Sequence, residues 1–313
     1  MKPMPSSTSS SSAQVKVALV AIAALLLSVE LSTRFGFRLV SRIEGRIATQ
    51  HAGALALRPA STQIPGQHQR PSVLLVGNSL LLEAVDDSLE GRMADQADIH
   101  RFVIEQTYFN DWYYGIRRLL AEGSKPDYLV LCLGPGHWVS DNIRGDYSSY
   151  YLFQTSDIHS VARDAGYSLT RESNLFFARY SMFYAGRAGL RNFVLHSSSP
   201  GYAEILRELT NGHVVNPPPS DAAPKIAARM QSLSRLGGPL PRLAVVMAPT
   251  FLDYEKELAL GAAQAGLPLL IPVHAGEWPQ DMFSDGFHLS SAGAKRFTPI
   301  LARQLQELLA RDH

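Results

Sequence analysis

Hydrophobic and polar positions between residues 72 and 312 follow two rhythms. Short apolar runs bounded by breakers fall at "SVLLV" (72–76), "HRFVIEQ" (100–106), "DYLVLCLG" (127–134), "RLAVVMAPT" (242–250) and "PLLIPV" (268–273). Unbroken apolarity over so few residues is the pattern of a strand covered on both faces. Helical spacing marks "DWYYGIRRLLAEG" (111–123), "DYEKELALGAAQAG" (253–266) and "SSAGAKRFTPILARQLQELLARD" (290–312), the first two ending on a glycine stop and the last capped by Ser290 or Ser291. Strands that alternate with helices are joined by crossovers and lie parallel. The pattern predicts an α/β fold: a doubly wound, flavodoxin-like, parallel five-stranded sheet with helices on both faces.

Two regions fall outside the alternation. A large helical insertion follows the third strand, spanning 135–241 and containing "DYSSYYLF" (146–153), a helix-like "SNLFFARYSMFYAGRAGLRNFVL" (173–195) and a loop "NPPPSDAAP" (216–224). Insertions of this size are commonly functional, so it reads as a cap beside the site, or else as a helical layer packed on the sheet. The other region is the N-terminus. Residues 1–16 are Ser-rich and read as disordered, and "VALVAIAALLLSV" (17–29) carries no charge. Its length matches a signal-peptide core, where a full span needs about 20 residues. No small-residue cleavage site follows it, so 17–33 reads as a signal anchor or transmembrane segment. Residues 34–71 then form a juxtamembrane region and linker, with Pro, Gly and Gln concentrated in 50–71, and 72–312 form the folded domain.

Composition narrows the function classes. The chain is 46% hydrophobic and 18% charged, enough to build a substantial core. A net charge of +1, with no basic run interleaved by aromatics, gives no field for nucleic acid. Cys132 is the only cysteine, which excludes an internal disulfide and a multi-cysteine zinc site. Glu277 and His274 lie near the sheet rim without a third ligand at metal spacing, and no glycine cluster has dinucleotide-loop spacing. Tyr147, Tyr150 and Tyr151 are either core aromatics or a sugar-stacking platform.

The candidate chemistry sits at two places far apart in sequence. "VGNSLLLEAVD" (76–86) runs the first strand into Gly77, Asn78 and Ser79, where the serine is either a helix cap or a nucleophile presented at the sheet rim. "FSDGFHLSSAGAKRF" (283–297) puts Asp285 and His288 three residues apart in a turn before the last helix. An imidazole acting as general base needs a carboxylate on its other nitrogen, and a tight Asp-Gly turn can supply one.

Together the two stretches resemble the SGNH (GDSL-like) hydrolase family of esterases, lipases and acyltransferases. "VGNSLL" stands where that family has Gly-Asp-Ser-Leu, with Asn78 for the aspartate, and "DGFHLSSAGAKRF" resembles its final Asp-x-x-His block. The resemblance covers 72–310 in strand order and implies Ser79 as nucleophile, His288 as general base and Asp285 as its orienter, with no cofactor and no metal. The middle of the chain departs from the family. No glycine follows the second strand before Gly115, and Gly136 stands where the family's third block has asparagine. The Ser79 N–H could still serve the oxyanion, with His137 and Asn142 as candidate replacement donors and Gln106 and Asn110 as further ones.

An N-terminal apolar anchor before such a domain resembles bacterial envelope members of the family. That likeness implies an inner-membrane anchor with the catalytic domain in the periplasm or outside, although Arg34, Arg38, Arg42 and Arg46 after the segment would by the positive-inside rule lie in the cytoplasm. It also implies an acylated glycan or lipid of the envelope as substrate, membrane contact through the N-terminal segment, and no nucleic acid. The alternative is a catalytically impaired module that binds glycan or a protein partner.

Overall fold

Five apolar segments become strands β1 (Ser72–Gly77), β2 (Asp98–Val103), β3 (Tyr128–Leu133), β4 (Arg242–Met247) and β5 (Leu269–Leu270). The computed structural model describes residues 10–62, 70–199, 201–202, 218–236, 241–250 and 254–311. All strand pairs are parallel, in the order β2-β1-β3-β4-β5. This is the doubly wound α/β arrangement, and strand order reverses between β1 and β3. β1 and β3 are buried along their whole length, which is why they read as continuous apolar runs. β5 is shorter than its apolar run, because Pro268 and Pro272 flank it and neither can donate to a ladder.

In chain order the helices are α1 (Ser10–Leu31), α2 (Arg38–Val40), α3 (Arg42–Ala56), α4 (Ser79–Ala84), α5 (Ser88–Met93), α6 (Phe109–Ala121), α7 (Pro135–Val139), α8 (Asp146–Leu152), α9 (Ile158–Asp164), α10 (Leu169–Tyr180), α11 (Met182–Ser198), α12 (Ala222–Ser234), α13 (Glu255–Ala265) and α14 (Ser291–Ala310). Alternate strand residues feed two separate cores. Val73 and Leu75 pack with α4, α5 and α14, whereas Leu74 and Val76 pack with α3, α6, α8, α12 and α13. That two-sided burial is the period-2 consequence of a strand covered on both faces.

Three boundaries differ from the sequence reading. The helix begins at Ser10, so residues 10–16 are not irregular, while 1–9 lie outside the described residues. Through a π-helical stretch (Ser32–Phe37) and α2, residues 12–40 form one helical path of 29 residues, long and apolar enough to cross a bilayer. The linker reading fails for 42–56, which form α3. Ile47 and Ala54 of α3 are fully buried, and its polar residues cover the free edge of β2. Gln50 Oε1 accepts from Val103 N–H at 3.0 Å, and Arg46 donates to Val103 C=O at 2.8 Å. Polar side chains with the composition of a linker therefore satisfy an exposed strand edge.

The described parts of the 135–241 insertion are helices joined by short loops, and α8 and α12 lie in the core layer on one sheet face. Of the two readings, a cap beside the site or a helical layer packed on the sheet, these two helices follow the second. The helix expected over 173–195 is two helices that meet at Ser181, whose side chain caps α11 by accepting from Tyr184 N–H at 3.1 Å. Of the loop expected at 216–224, residues 216–217 lie outside the described residues, 218–221 are a loop and turn as expected, and 222–224 form the first turn of α12.

Candidate active site

Ser79 stands at the carboxyl end of β1, next to the strand-order reversal. Three residues place it there. A Cβ on Gly77 would lie 2.3 Å from the Cys132 carbonyl oxygen, so only glycine permits β1 to run this close beside β3. Asn78, fully buried, caps α4: its Oδ1 accepts from Leu80 N–H at 3.1 Å, while its Nδ2 donates to the Thr107 carbonyl at 3.0 Å. A side-chain cap of this kind contributes about 1 kcal/mol. Because Asn78 does the capping, Ser79 Oγ is not engaged by its own helix. It lies 2.8 Å from His288 Nε2 instead.

The segment 283–290 is a small closed loop. Phe283 and Leu289 form an antiparallel bridge, and Ser284 N–H donates to the His288 carbonyl at 2.8 Å. Ser290 caps α14, accepting from Gly293 N–H at 3.3 Å. Gly293 cannot carry a side chain, since its Cβ would lie 2.4 Å from the Met282 carbonyl oxygen. Within the loop Asp285 Oδ1 accepts from Phe287 N–H at 2.9 Å and His288 N–H at 2.7 Å, and Oδ2 lies 2.7 Å from His288 Nδ1. Gly286, at φ +77°, supplies the turn that lets one carboxylate reach all three nitrogens. Partial burial raises the Asp285 carboxyl, but these N–H donors and the His288 ring outweigh it and hold the group below its ordinary value.

The rest of the rim is built differently. Gln106, just after β2, has φ +59° and is the one non-glycine in the left-handed region among the described residues. Holding a glutamine there costs about 1 kcal/mol. Its neighbour Thr107 is the residue tied to Asn78. His137 on α7 meets the rings of Tyr108 (5.2 Å) and Phe287 (6.2 Å) at tilted angles, which brings it beside the loop of His288. Burial, with a smaller contribution from nearby His288, pushes its imidazole down to about 4, so the ring is neutral near pH 7. Its Nδ1 is buried against Gly134. Asn142 is exposed; its backbone N–H donates to Ser140 Oγ at 3.2 Å, and no hydrogen bond joins it to Ser79 or His288. Asn110 is turned to the same loop, donating to the Asp141 carbonyl at 3.1 Å.

Other sequence candidates have structural places. Tyr147 and Tyr151 are buried, and their hydroxyls donate to the Glu44 carboxylate of α3 at 2.7 and 3.2 Å. Burial pushes Glu44 above the usual carboxylate range. Tyr150 lies half-buried beside them, under the Arg34 guanidinium at 6.0 Å. His274 pairs with Glu255 at 2.7 Å and takes Glu277 on its backbone N–H at 3.0 Å, fastening a loop to α13. Among the described residues no three His, Cys, Asp or Glu side chains gather as a metal site. A cavity of about 830 Å³ opens between α3, α8 and α11, lined by Gln106 and Glu105 at one end and by Arg144, Arg191 and Phe193 elsewhere. Ser79, Asp285 and His288 do not line it.

No family model matches the chain, and no curated protein matches it. Among solved structures it is similar to one from Streptococcus pneumonia named "putative platelet activating factor". The two share 13% identity at a TM-score of 0.36, over 93% of this chain and 99% of that one. A likeness this distant carries no conclusion about activity.

Proposed function

We propose that this chain is a serine-dependent ester hydrolase or O-acyltransferase of the SGNH type, acting through an acyl-serine intermediate. One observation carries the reading: Ser79 Oγ, His288 Nε2, His288 Nδ1 and Asp285 Oδ2 form a continuous relay of 2.8 and 2.7 Å at the switch point of the sheet. A serine hydroxyl is a weak nucleophile until a base takes its proton, and a histidine held in one tautomer by a carboxylate is such a base.

In this mechanism Ser79 Oγ attacks the acyl carbonyl as its proton passes to His288 Nε2. The imidazolium, stabilised by Asp285, then returns that proton to the leaving alcohol. Water or a second hydroxyl, deprotonated by the same nitrogen, releases the acyl group. Asp285 stays ionised throughout, consistent with its lowered pKa. The oxyanion would be met by the Ser79 N–H and by the Gln106 main chain, whose left-handed turn is where the family carries glycine. His137, neutral beside the site, is the side-chain candidate for a third donor; Asn142 has no contact in its favour. Each such donor contributes about 3 kcal/mol of barrier lowering.

The substrate class we propose, an acylated glycan or lipid of a bacterial envelope, and a location in the periplasm or outside rest on the resemblance to envelope members of the family, with the apolar N-terminal helix as the membrane anchor. A fluorophosphonate probe tests the reading. Wild-type protein should label, and Ser79→Ala and His288→Ala should not. Absence of labelling in folded wild-type protein would favour the competing class, a binding module that keeps the relay without turnover.

A further inference from the structure

The corner between α10 and α11 is an exposed aromatic knuckle fastened to the end of the apolar helix. Glu30, the first acidic residue after the uncharged run, reaches across to cap α11. Its carboxylate accepts from Ser181 Oγ at 2.8 Å, Met182 N–H at 2.9 Å and Phe183 N–H at 3.2 Å. One turn on, Arg34 donates to the Tyr180 carbonyl at 3.2 Å and pairs with Glu30 at 3.2 Å. The last carbonyl of α10 and the first N–H groups of α11 are thus held to residues 30–34. Further along, Phe37 meets Phe193 edge to face at 5.9 Å, so α11 follows the helical path from residue 30 toward the domain. The turn at Ser181 is therefore the part of α10 and α11 nearest the apolar segment.

That turn is clad in aromatics facing solvent. Phe176, Phe177, Tyr180 and Phe183 are 46, 58, 56 and 41% exposed, and Phe176 packs on Tyr180 at 5.3 Å. On α10 the buried stripe is Leu175 and Ala178, whereas Leu169, Phe176 and Tyr180 recur at seven- and four-residue spacing on another side. A helix apolar on two sides with only one of them packed has a second apolar environment to meet. Residues 169–191 also carry Arg171, Arg179, Arg187 and Arg191 against the single acid Glu172. Phe and Tyr at the level where an apolar helix ends, flanked by arginine, is the composition that headgroup regions accept.

We infer that the α10–α11 corner is a second membrane contact, a wedge of Phe176, Phe177, Tyr180 and Phe183 seated in the headgroup region of the bilayer that α1 enters. The inference rests on reading α1 as a membrane anchor. It adds that the domain lies against the lipid surface in one fixed orientation, held by the Glu30 and Arg34 clasps, and does not swing on a tether.

Site-specific labelling of the full chain in phosphatidylcholine–phosphatidylglycerol vesicles tests this. Cys132 is fully buried and its thiol is pushed up by burial, so it leaves introduced cysteines to react alone, with unsubstituted protein as the blank. An environment-sensitive fluorophore is placed at Phe176→Cys, Tyr180→Cys, Ile22→Cys in α1, and Lys256→Cys on the exposed side of α13. The expected result is blue-shifted emission, quenched by spin-labelled lipids, at 176, 180 and 22, and aqueous emission at 256. Aqueous, unquenched emission at 176 and 180 overturns the wedge, including when position 22 is in lipid. Lipid contact at 176 and 180 with water at 22 sinks the anchor reading and, with it, a wedge seated in the bilayer that α1 enters.

Discussion

The two halves of the site rim are determined in different ways. On one half, Gly77-Asn78-Ser79 and the 283–290 loop fix side chains through local contacts: a glycine forced by a carbonyl, an asparagine cap, a carboxylate taking three nitrogens. On the other, the loops after β2 and β3 offer a left-handed glutamine, a half-buried neutral histidine and an exposed asparagine. The first half fixes the proposed nucleophile and its proposed base almost residue by residue. In the second, what counts is main-chain shape, which many sequences can adopt.

The largest effect that would break this contrast is at Asp285. Asp285→Asn keeps an Oδ1 acceptor for the Phe287 and His288 N–H groups but presents an NH₂ to His288 Nδ1, which forces the wrong tautomer. Turnover of an activated ester should fall by about 10³- to 10⁴-fold with little change in KM. Unchanged turnover would show that another acid orients His288.

Next in size is Gly77→Ala, whose Cβ would lie 2.3 Å from the Cys132 carbonyl oxygen. The strands must shift, and urea denaturation should show a loss of about 1–3 kcal/mol. The stability of this variant matching wild type would mean the β1–β3 spacing has slack.

Gln106 sharpens the other half. If its main chain is what the site uses, Gln106→Gly should keep turnover within a few-fold, since glycine accepts positive φ. Gln106→Val, which is β-branched and costly at φ +59°, should lose stability by about 1–2 kcal/mol and lower kcat with it. A Gly variant as poor as the Val variant would transfer the role to the side chain.

The smallest effect is in pH. His137 has its pKa lowered from 6.5 to about 4 in the folded chain, so below pH 6.5 the unfolded state takes a proton the folded state refuses. The His137 contribution to stability therefore declines as pH falls from about 6.5 to about 4 and is level above that window, while Asp111, pushed up to about 7 by burial, contributes a slope of the opposite sign. His51, half-buried and lowered to about 4 by desolvation, adds a slope of the same sign as His137. Equilibrium unfolding across this range should lose the His137 part of the slope in His137→Gln, with the His51 and Asp111 parts remaining; an unchanged slope would contradict a neutral ring.

The same contrast explains what is legible in the sequence. The sheet can be read because β1, β3 and β4 are buried on both faces and Pro and Gly bound them. The Ser79 and Asp285–His288 segments stand out because their constraints are local: a turn glycine, a cap, a small residue at the start of α14. Gln106 is less legible, since nothing in "IEQTYF" announces a left-handed residue. The α3 helix is hidden for a different reason: Arg46 and Gln50 face a strand edge, so their polarity reports a hydrogen-bonding task in the domain and imitates a linker. Long-range clasps such as Glu30 on Ser181 leave no periodic trace at all.

The acyl-enzyme itself is the decisive species. Full-length protein mixed with an activated short-chain ester, quenched in acid within the first turnover and analysed by intact mass and peptide mapping, should carry one acyl group on the peptide containing Ser79, and His288→Ala should carry none. An unmodified chain that nevertheless turns the ester over, or an acyl group mapped to any other residue, would contradict a Ser79–His288–Asp285 mechanism.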